Sequence, residues 1–146
     1  ERHRLYMQCL RATGVIVELS RFKMKEAYCR KCGSFFKARE EKETDVAIAT
    51  RLFETCFRSE ADSVVLVTGD SDQAPAVRAC QRLFPSTSIL FAFPFRRSSS
   101  ELKVLAPDSF SIGLPSIVRH QLPNPLVVSP GKQLHMPESW RPVSPD

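Results

Sequence analysis

The densest set of groups able to do chemistry is Gly69-Asp70-Ser71-Asp72, which directly follows the valine-rich run Ser63-Val-Val-Leu-Val-Thr68. An apolar run of this kind marks a strand covered on both faces, as in a parallel sheet. Ligands of open parallel sheets bind beyond the carboxyl ends of the strands, so Asp70 and Asp72 are the first candidates. In a tight turn, residues i and i+2 can aim two carboxylates at one point, and Gly69 lets the backbone make that turn. Asp45, at the head of a helical pattern, joins them if its helix starts on the same edge of the sheet. Three hard oxygen ligands with room for water suit magnesium or manganese rather than zinc. Such an ion orients a water and stabilises the charge on a phosphodiester, and a pair of ions clamps the attacking and leaving oxygens. The plain alternative is that Asp70 and Asp72 only cap the turn and the helix after it.

The other candidates are basic or sulfur-bearing. Arg21, Lys23, Lys25, Arg30, Lys31, Lys37, Arg39 and Lys42 place eight of the 21 Lys and Arg residues within one short stretch. That stretch suits a nucleic-acid backbone, or else it is a solvated loop kept basic for solubility. Arg96 and Arg97 follow an apolar strand and fall on the same edge as the acidic turn, where they would hold phosphates. Cys29-x2-Cys32-Gly33 is half of a zinc knuckle; one pair cannot fill a tetrahedral site, so zinc would need His3, His120, His135 or a partner chain. Glu40 and Glu41 read as outer acids or a charged loop, and Asp108 as a turn cap. His120 and His135 have no acid or nucleophile at useful spacing, so no hydrolase triad forms.

The elements that must position these residues follow from periodicity. The chain has 146 residues, 42% hydrophobic and 25% charged, with a net charge of +5. That excludes collagen, coiled coil and wholesale disorder, and leaves one domain plus an appendage. No apolar run reaches the ~18 residues of a membrane helix and the start shows no signal-peptide pattern, so no membrane partner is expected and the expected compartment is the cytoplasm. Five cysteines make a disulfide framework an unfavoured reading. Leu5, Tyr6, Cys9 and Leu10 predict a helix that stops at Gly14, and Val15 to Leu19 a strand. From Ser20 to Glu43 no period holds, which reads as a long functional loop. Thr44 is the expected N-cap of the clearest helix, whose apolar face is Val46, Ala49, Leu52, Phe53, Cys56 and Phe57. Pro75 opens a helix buried through Ala76, Val77, Cys80 and Leu83. A strand at Ser88 to Phe93, a short helix at Ser99 to Leu105 and a short strand at Ser109 to Ile112 complete an alternation that implies a parallel sheet with helices on both faces. Seven of 11 prolines fall in the last 34 residues, so that tail is expected to be extended and to wrap along the domain.

Glu41-Lys-Glu-Thr-Asp45-Val-Ala-Ile-Ala49, then Ser63-Val-Val-Leu-Val-Thr-Gly-Asp-Ser-Asp72 with Pro75, then Ser99 to Leu102 ahead of Asp108, together resemble the NYN domain of the PIN-like nuclease superfamily over roughly residues 4 to 112. The resemblance implies a three-layer α/β/α fold with a mainly parallel sheet over residues 1–112, followed by the proline-rich extension over 113–146. It implies a divalent-metal-dependent ribonuclease acting on RNA, with Asp45, Asp70 and Asp72 as the metal-binding and catalytic carboxylates. Lys23, Lys25, Arg30, Lys31, Arg96 and Arg97 would contact the nucleic acid, and a homo-oligomer is left open. Three positions depart from the family pattern. The first strand, ending in an Asp-Gly-x-Asn motif, has no counterpart before Glu1; Arg51 stands where many relatives carry a second acid; and Gln73 replaces an apolar residue. The first two favour an alternative, an RNA-binding or protein-interaction module without turnover. A phosphatase of the haloacid dehalogenase type is a weaker rival, since its upstream Asp-x-Asp motif is missing.

Overall fold

The computed structural model describes residues 2–141, so Glu1 and positions 142–146 of the expected tail lie outside the described residues. The chain forms two compact units. One is drawn from both ends, through Leu19 and from Val118 onward; the other is Ser20–Ile117. No helix among the described residues is long and apolar enough to cross a membrane.

Within Ser20–Ile117 the expected alternation is present: α2 (Thr44–Phe57), β3 (Ser63–Leu66), α3 (Ala74–Leu83), β4 (Ser88–Phe93), α4 (Ser100–Leu105) and β5 (Phe110–Ser111). The strands form a parallel sheet in the order β3-β4-β5, with Val64 opposite Ile89 and Ala92 opposite Phe110. This is a mixed α/β fold around a parallel three-stranded sheet. β4, the middle strand, has both backbone edges paired, and its side chains are covered on both faces: Ile89, Phe91, Ala92 and Phe93 are all buried. Val77 and Cys80 of α3 and Leu102 of α4 complete the centre of the core. Each such side chain contributes about 1.5–3 kcal/mol by leaving water. Pro75 lies in the first turn of α3 as its fixed φ favours, and the Ser99 hydroxyl caps α4 by accepting from Leu102 N–H at 3.4 Å.

Several expectations are corrected. Ser20 to Glu43 is no loop but an antiparallel hairpin, β1 (Arg21–Tyr28) and β2 (Phe35–Lys42), paired from Arg21↔Lys42 to Tyr28↔Phe35. Val15 to Leu19 forms no strand; Ile16 is 77% exposed, and no neighbouring strand is there to satisfy it. β3 is covered on one face only: Val65, and Val67 just past its end, are exposed, since no described residue buries that face. Thr44 does not cap α2: Glu43 occupies that position at φ 79°, while the Thr44 hydroxyl bonds the hydroxyl of Ser20 (2.7 Å) and the Glu41 carboxylate. Leu83 of α3 is exposed, and Phe53 and Phe57 of α2 lie outside the buried core, packing with Phe84 at ring centroid distances of 5.3 and 6.4 Å.

The unit built from the chain ends starts with α1 (Arg2–Ala12), which closes before Gly14 at φ +85°, the left-handed conformation expected there. α1 packs against the hairpin of β6 (Leu126–Ser129) and β7 (Lys132–Leu134), and Tyr6 meets Trp140 edge-on with centroids 6.2 Å apart. The expected extended tail is thus partly folded: besides that hairpin, it forms α5 (Leu114–Arg119), where Pro115 falls in the first turn and needs no N–H partner.

Candidate active site

The acidic turn is built at the carboxyl end of β3. After Leu66 the chain runs through Val67, Thr68 and Gly69, then enters a 3-10 turn, Ser71–Gln73, that leads directly into α3. Asp70 is the cap of that turn. Its Oδ1 accepts from Asp72 N–H at 3.1 Å, and its own N–H donates to Thr68 Oγ1 at 3.0 Å. The capping role is therefore real, and it fixes the carboxylate while leaving Oδ2 for a ligand. Asp70 and Asp72 are both exposed.

Gly69 is required for a different reason from the one expected. A Cβ there would stand 2.9 Å from the carbonyl oxygen of Arg97 and 3.1 Å from its carbon. The turn after β4, closed by Arg97 N–H donating to Pro94 O at 2.8 Å, comes too close for any side chain. Arg96 within that turn takes φ 59°, a left-handed conformation that costs a non-glycine residue about 1–2 kcal/mol. Between the two strand ends lies a cleft of about 500 Å³, lined by Val67, Thr68, Gly69, Asp70, Pro94 and Arg97. An acidic and a basic residue, Asp70 and Arg97, thus line one space beyond the carboxyl ends of adjacent parallel strands, where open α/β sheets hold ligands.

Asp45 sits in the first turn of α2 and is tied to the same turn through Gln73, whose Nε2 donates to Asp45 Oδ1 at 3.2 Å. Gln73 is 2% exposed, and its Oε1 is buried with no hydrogen-bond partner. Leaving such an acceptor unpaired costs about 1–3 kcal/mol. This link is what reading the sequence missed. Its signal was a glutamine just before an amphipathic helix, at a position where the family pattern has an apolar residue.

The donor chemistry fits a hard divalent cation: carboxylate oxygens at an exposed edge, with an unpaired buried carbonyl oxygen behind them. The number of side chains available to one ion is smaller than expected. Among the described residues no three His, Cys, Asp or Glu side chains stand together as a metal-holding group, Asp45, Asp70 and Asp72 included. Magnesium usually keeps several waters and takes one or two carboxylates together with substrate phosphates, so two acids and a phosphate would suffice.

The expected cations are dispersed. Arg97 lines the cleft, whereas the Arg96 guanidinium stacks 5.0 Å above the Phe95 ring. Lys23 and Lys25 lie on one face of the β1–β2 hairpin, Lys25 in contact with Glu40 at 3.5 Å. Lys25 and Lys42 hold the Glu40 carboxyl below its usual range, chiefly through the hydrogen bond from Lys42. Arg30 and Lys31 are at the hairpin tip. Arg51 pairs with Glu60 at 3.3 Å and with Glu54 at 3.6 Å. Asp108 lines a separate cavity with Pro107 and Gln81. His120 and His135 belong to the other unit.

Cys29 and Cys32 flank the tip, where Cys29 N–H donates to Ser34 O at 2.9 Å and Gly33 N–H to Cys29 O at 2.8 Å. Cys32 Sγ lies 2.9 Å from Ser34 Oγ, and hydrogen bonds from the Ser34 side chain and backbone, then from Cys29, lower its thiol to about 7. All five cysteines are free.

A family model for the NYN domain matches residues 1–113. Among solved structures, the chain is similar to the crystal structure of a protein of unknown function from Vibrio parahaemolyticus, with 26% identity and a TM-score of 0.56. The match covers 77% of this chain and 61% of that one, so the chain spans about three-fifths of that protein's length. No curated protein matches. With the model covering well over half of its residues, and the acidic turn at the end of a parallel strand, the chain belongs to the NYN domain family of the PIN-like nuclease superfamily.

Proposed function

We propose that the domain hydrolyses phosphodiester bonds of RNA at the cleft between the ends of β3 and β4, with a magnesium or manganese ion held by Asp70 and Asp72, and with Asp45 beside them. The observation that carries this reading is that Asp70 and Arg97 line one cleft of about 500 Å³ beyond the ends of β3 and β4. When bound, the cation lowers the pKa of a water and offsets charge on the phosphate. Arg97 supports a phosphate by offering fixed N–H donors of the kind that match its oxygens. Asp70 keeps one geometry because Oδ1 is tied to Asp72 N–H, so Oδ2 needs no reorganisation to act. Asp45 is steadied by Gln73 in the same way. Arg96, Arg30, Lys31, Lys23 and Lys25 would hold the flanking strand, and a zinc ion at Cys29 and Cys32 would need ligands from outside the hairpin.

The test is Asp70→Asn with Asp72→Asn. Asparagine still caps the turn but has no charge, so the fold should persist while magnesium or manganese binding by calorimetry and RNA cleavage are both lost. Unchanged metal affinity would refute the assignment. The second reading is a domain that binds RNA without cutting it; the absence of a three-carboxylate group among the described residues favours it. Retention of RNA with no cleavage at any magnesium concentration, with or without EDTA, would decide for it.

A further inference from the structure

The β1–β2 hairpin ends in Cys29-Arg30-Lys31-Cys32-Gly33-Ser34, and its own backbone bonds fix that tip. Cys29 N–H donates to Ser34 O at 2.9 Å and Gly33 N–H to Cys29 O at 2.8 Å, so the chain reverses over Arg30 to Cys32. Gly33 closes the reversal at φ +72°, a left-handed conformation that suits glycine. The second cysteine thereby returns to within hydrogen-bonding reach of the first. Cys32 is exposed, Cys29 is half-buried, and neither is bridged to another sulfur. Eight residues of each strand carry this pair about 27 Å from the root of the hairpin.

The acidic cleft makes no use of these sulfurs, and they suit a different ion. Carboxylates favour magnesium and manganese, whereas thiolates favour zinc and other soft or borderline cations. Two cysteines separated by two residues fill two corners of the zinc tetrahedron. Among the described residues no third His, Cys, Asp or Glu joins them. The other two corners therefore belong to another chain.

Three features select a second copy of this one. An ion on a twofold axis takes the same two ligands from each copy, which closes the tetrahedron with no further residue. The tip residues 29–34 include Arg30 and Lys31 and no acid. Two bare tips therefore repel each other, whereas four thiolates outweigh the charge of one zinc ion and place a net negative centre among four cations. Finally, Tyr28 and Phe35 form the last rung before the tip, 56% and 73% exposed, with ring centroids 5.1 Å apart. A two-stranded hairpin uncovered in this way is only marginally stable in water, and an apposed tip would cover those rings.

We infer that Cys29 and Cys32 are half of a structural zinc site completed by the same two residues of a second copy, so that zinc joins two hairpin tips through four thiolates. Each ligating thiol gives its proton to solvent as the ion binds. The site is separate from the acidic cleft and does not rest on the ribonuclease reading.

The test uses the full chain, stripped with EDTA under reductant, dialysed, and then given zinc alone. After gel filtration the protein should retain one zinc per two chains, its sedimenting mass should double, and EDTA should reverse both. Cobalt in place of zinc should give the sulfur-to-metal absorption of four thiolates per ion. Cys29→Ser with Cys32→Ser should lose both the ion and the dimer. Cys32→His should keep them, since two cysteines and two histidines also fill a tetrahedron. Asp70→Asn with Asp72→Asn should change neither, which separates this site from the cleft.

Zinc bound at one per chain without a dimer overturns the inference, as does failure to retain zinc. A dimer that survives EDTA or the paired serine substitutions also overturns it, since the tips would then associate without the ion. Cobalt absorption of only two thiolates assigns the remaining ligands elsewhere and has the same consequence. Stoichiometry, mass and cobalt absorption are all read on wild type, so they decide the matter even where the serine variant does not fold.

Discussion

Cys32 and Cys80 are the same side chain in opposite surroundings. Cys32 is exposed at the hairpin tip, where Ser34 and Cys29 stabilise its thiolate and bring it down to about 7. Cys80 is buried against Cys56, and burial first, then the neighbouring thiol, pushes it up to about 11. The thiolate is the reactive form, so a lowered pKa brings reactivity to lower pH and a raised one removes it. In the folded protein, alkylation of Cys32 should rise through pH 7 and level off above about pH 8, while Cys80 stays unmodified over the same range. Mass mapping after brief iodoacetamide treatment reads both sites at once. A Cys32 rate still climbing tenfold per unit above pH 8 would show that the Ser34 contacts do not hold in solution.

At the scale of elements, the ends of β3 and β4 are brought together by what Gly69 lacks. Its missing Cβ leaves room for the Arg97 carbonyl, and Gly69→Ala would put a carbon 2.9 Å from that oxygen. The contact is backbone, so neither side can rotate away, and one turn must shift. Overpacking of this kind costs about 1–3 kcal/mol. The variant should unfold at lower urea with an unchanged slope and bind metal less well, because Asp70 moves with the turn; a midpoint equal to wild type would show that the 94–97 turn yields freely. Gly69 was legible as important, but the reason was not, since close approach of two distant turns leaves no local trace. The elements that were legible were those with a buried face. Val77 and Cys80 fall three apart on one face of α3, and β4 is apolar from Ile89 to Phe93, because each is pressed against a core. The β1–β2 hairpin was harder to read: Arg21-Phe-Lys-Met-Lys25 alternates polar and apolar as a strand does, but with both faces open to solvent the alternation stops at Glu26 and is absent from Phe-Phe-Lys-Ala-Arg-Glu-Glu-Lys of β2, and Gly33 at φ +72° was its one turn signal. The isolated apolar run Val15 to Leu19 misled because strand propensity expresses fit to a neighbouring strand, which it lacks. Within the candidate site, Asp70 and Asp72 were found from position after a strand, whereas the tie from Asp45 to the acidic turn depends on Gln73, and a bond across helices has no pattern along the chain.

For the molecule as a whole, burial is divided unequally between the two units. The core cluster runs from Leu52 to Ala106 and so lies entirely within Ser20–Ile117. In the unit made from the chain ends, Leu126 at 8% exposure is the only buried hydrophobic among the described residues, and Leu5, Tyr6, Leu122, Trp140 and neighbours surround a cavity of about 510 Å³. Stability follows apolar area removed from water and falls with unfilled space, so the second unit should open first. The chain supplies a probe for each. Its single tryptophan, Trp140, packs on Tyr6 in the unit of chain ends, and Cys80 is sealed in the core of the other. In a urea series at pH 8, Trp140 fluorescence should therefore change at a lower midpoint than far-UV circular dichroism or exposure of Cys80 to a thiol reagent. Coincident transitions are the mark of a single cooperative unit; if all three midpoints agree, the chain ends fold with the sheet domain as one body and the cavity between α1 and the β6–β7 hairpin weakens neither.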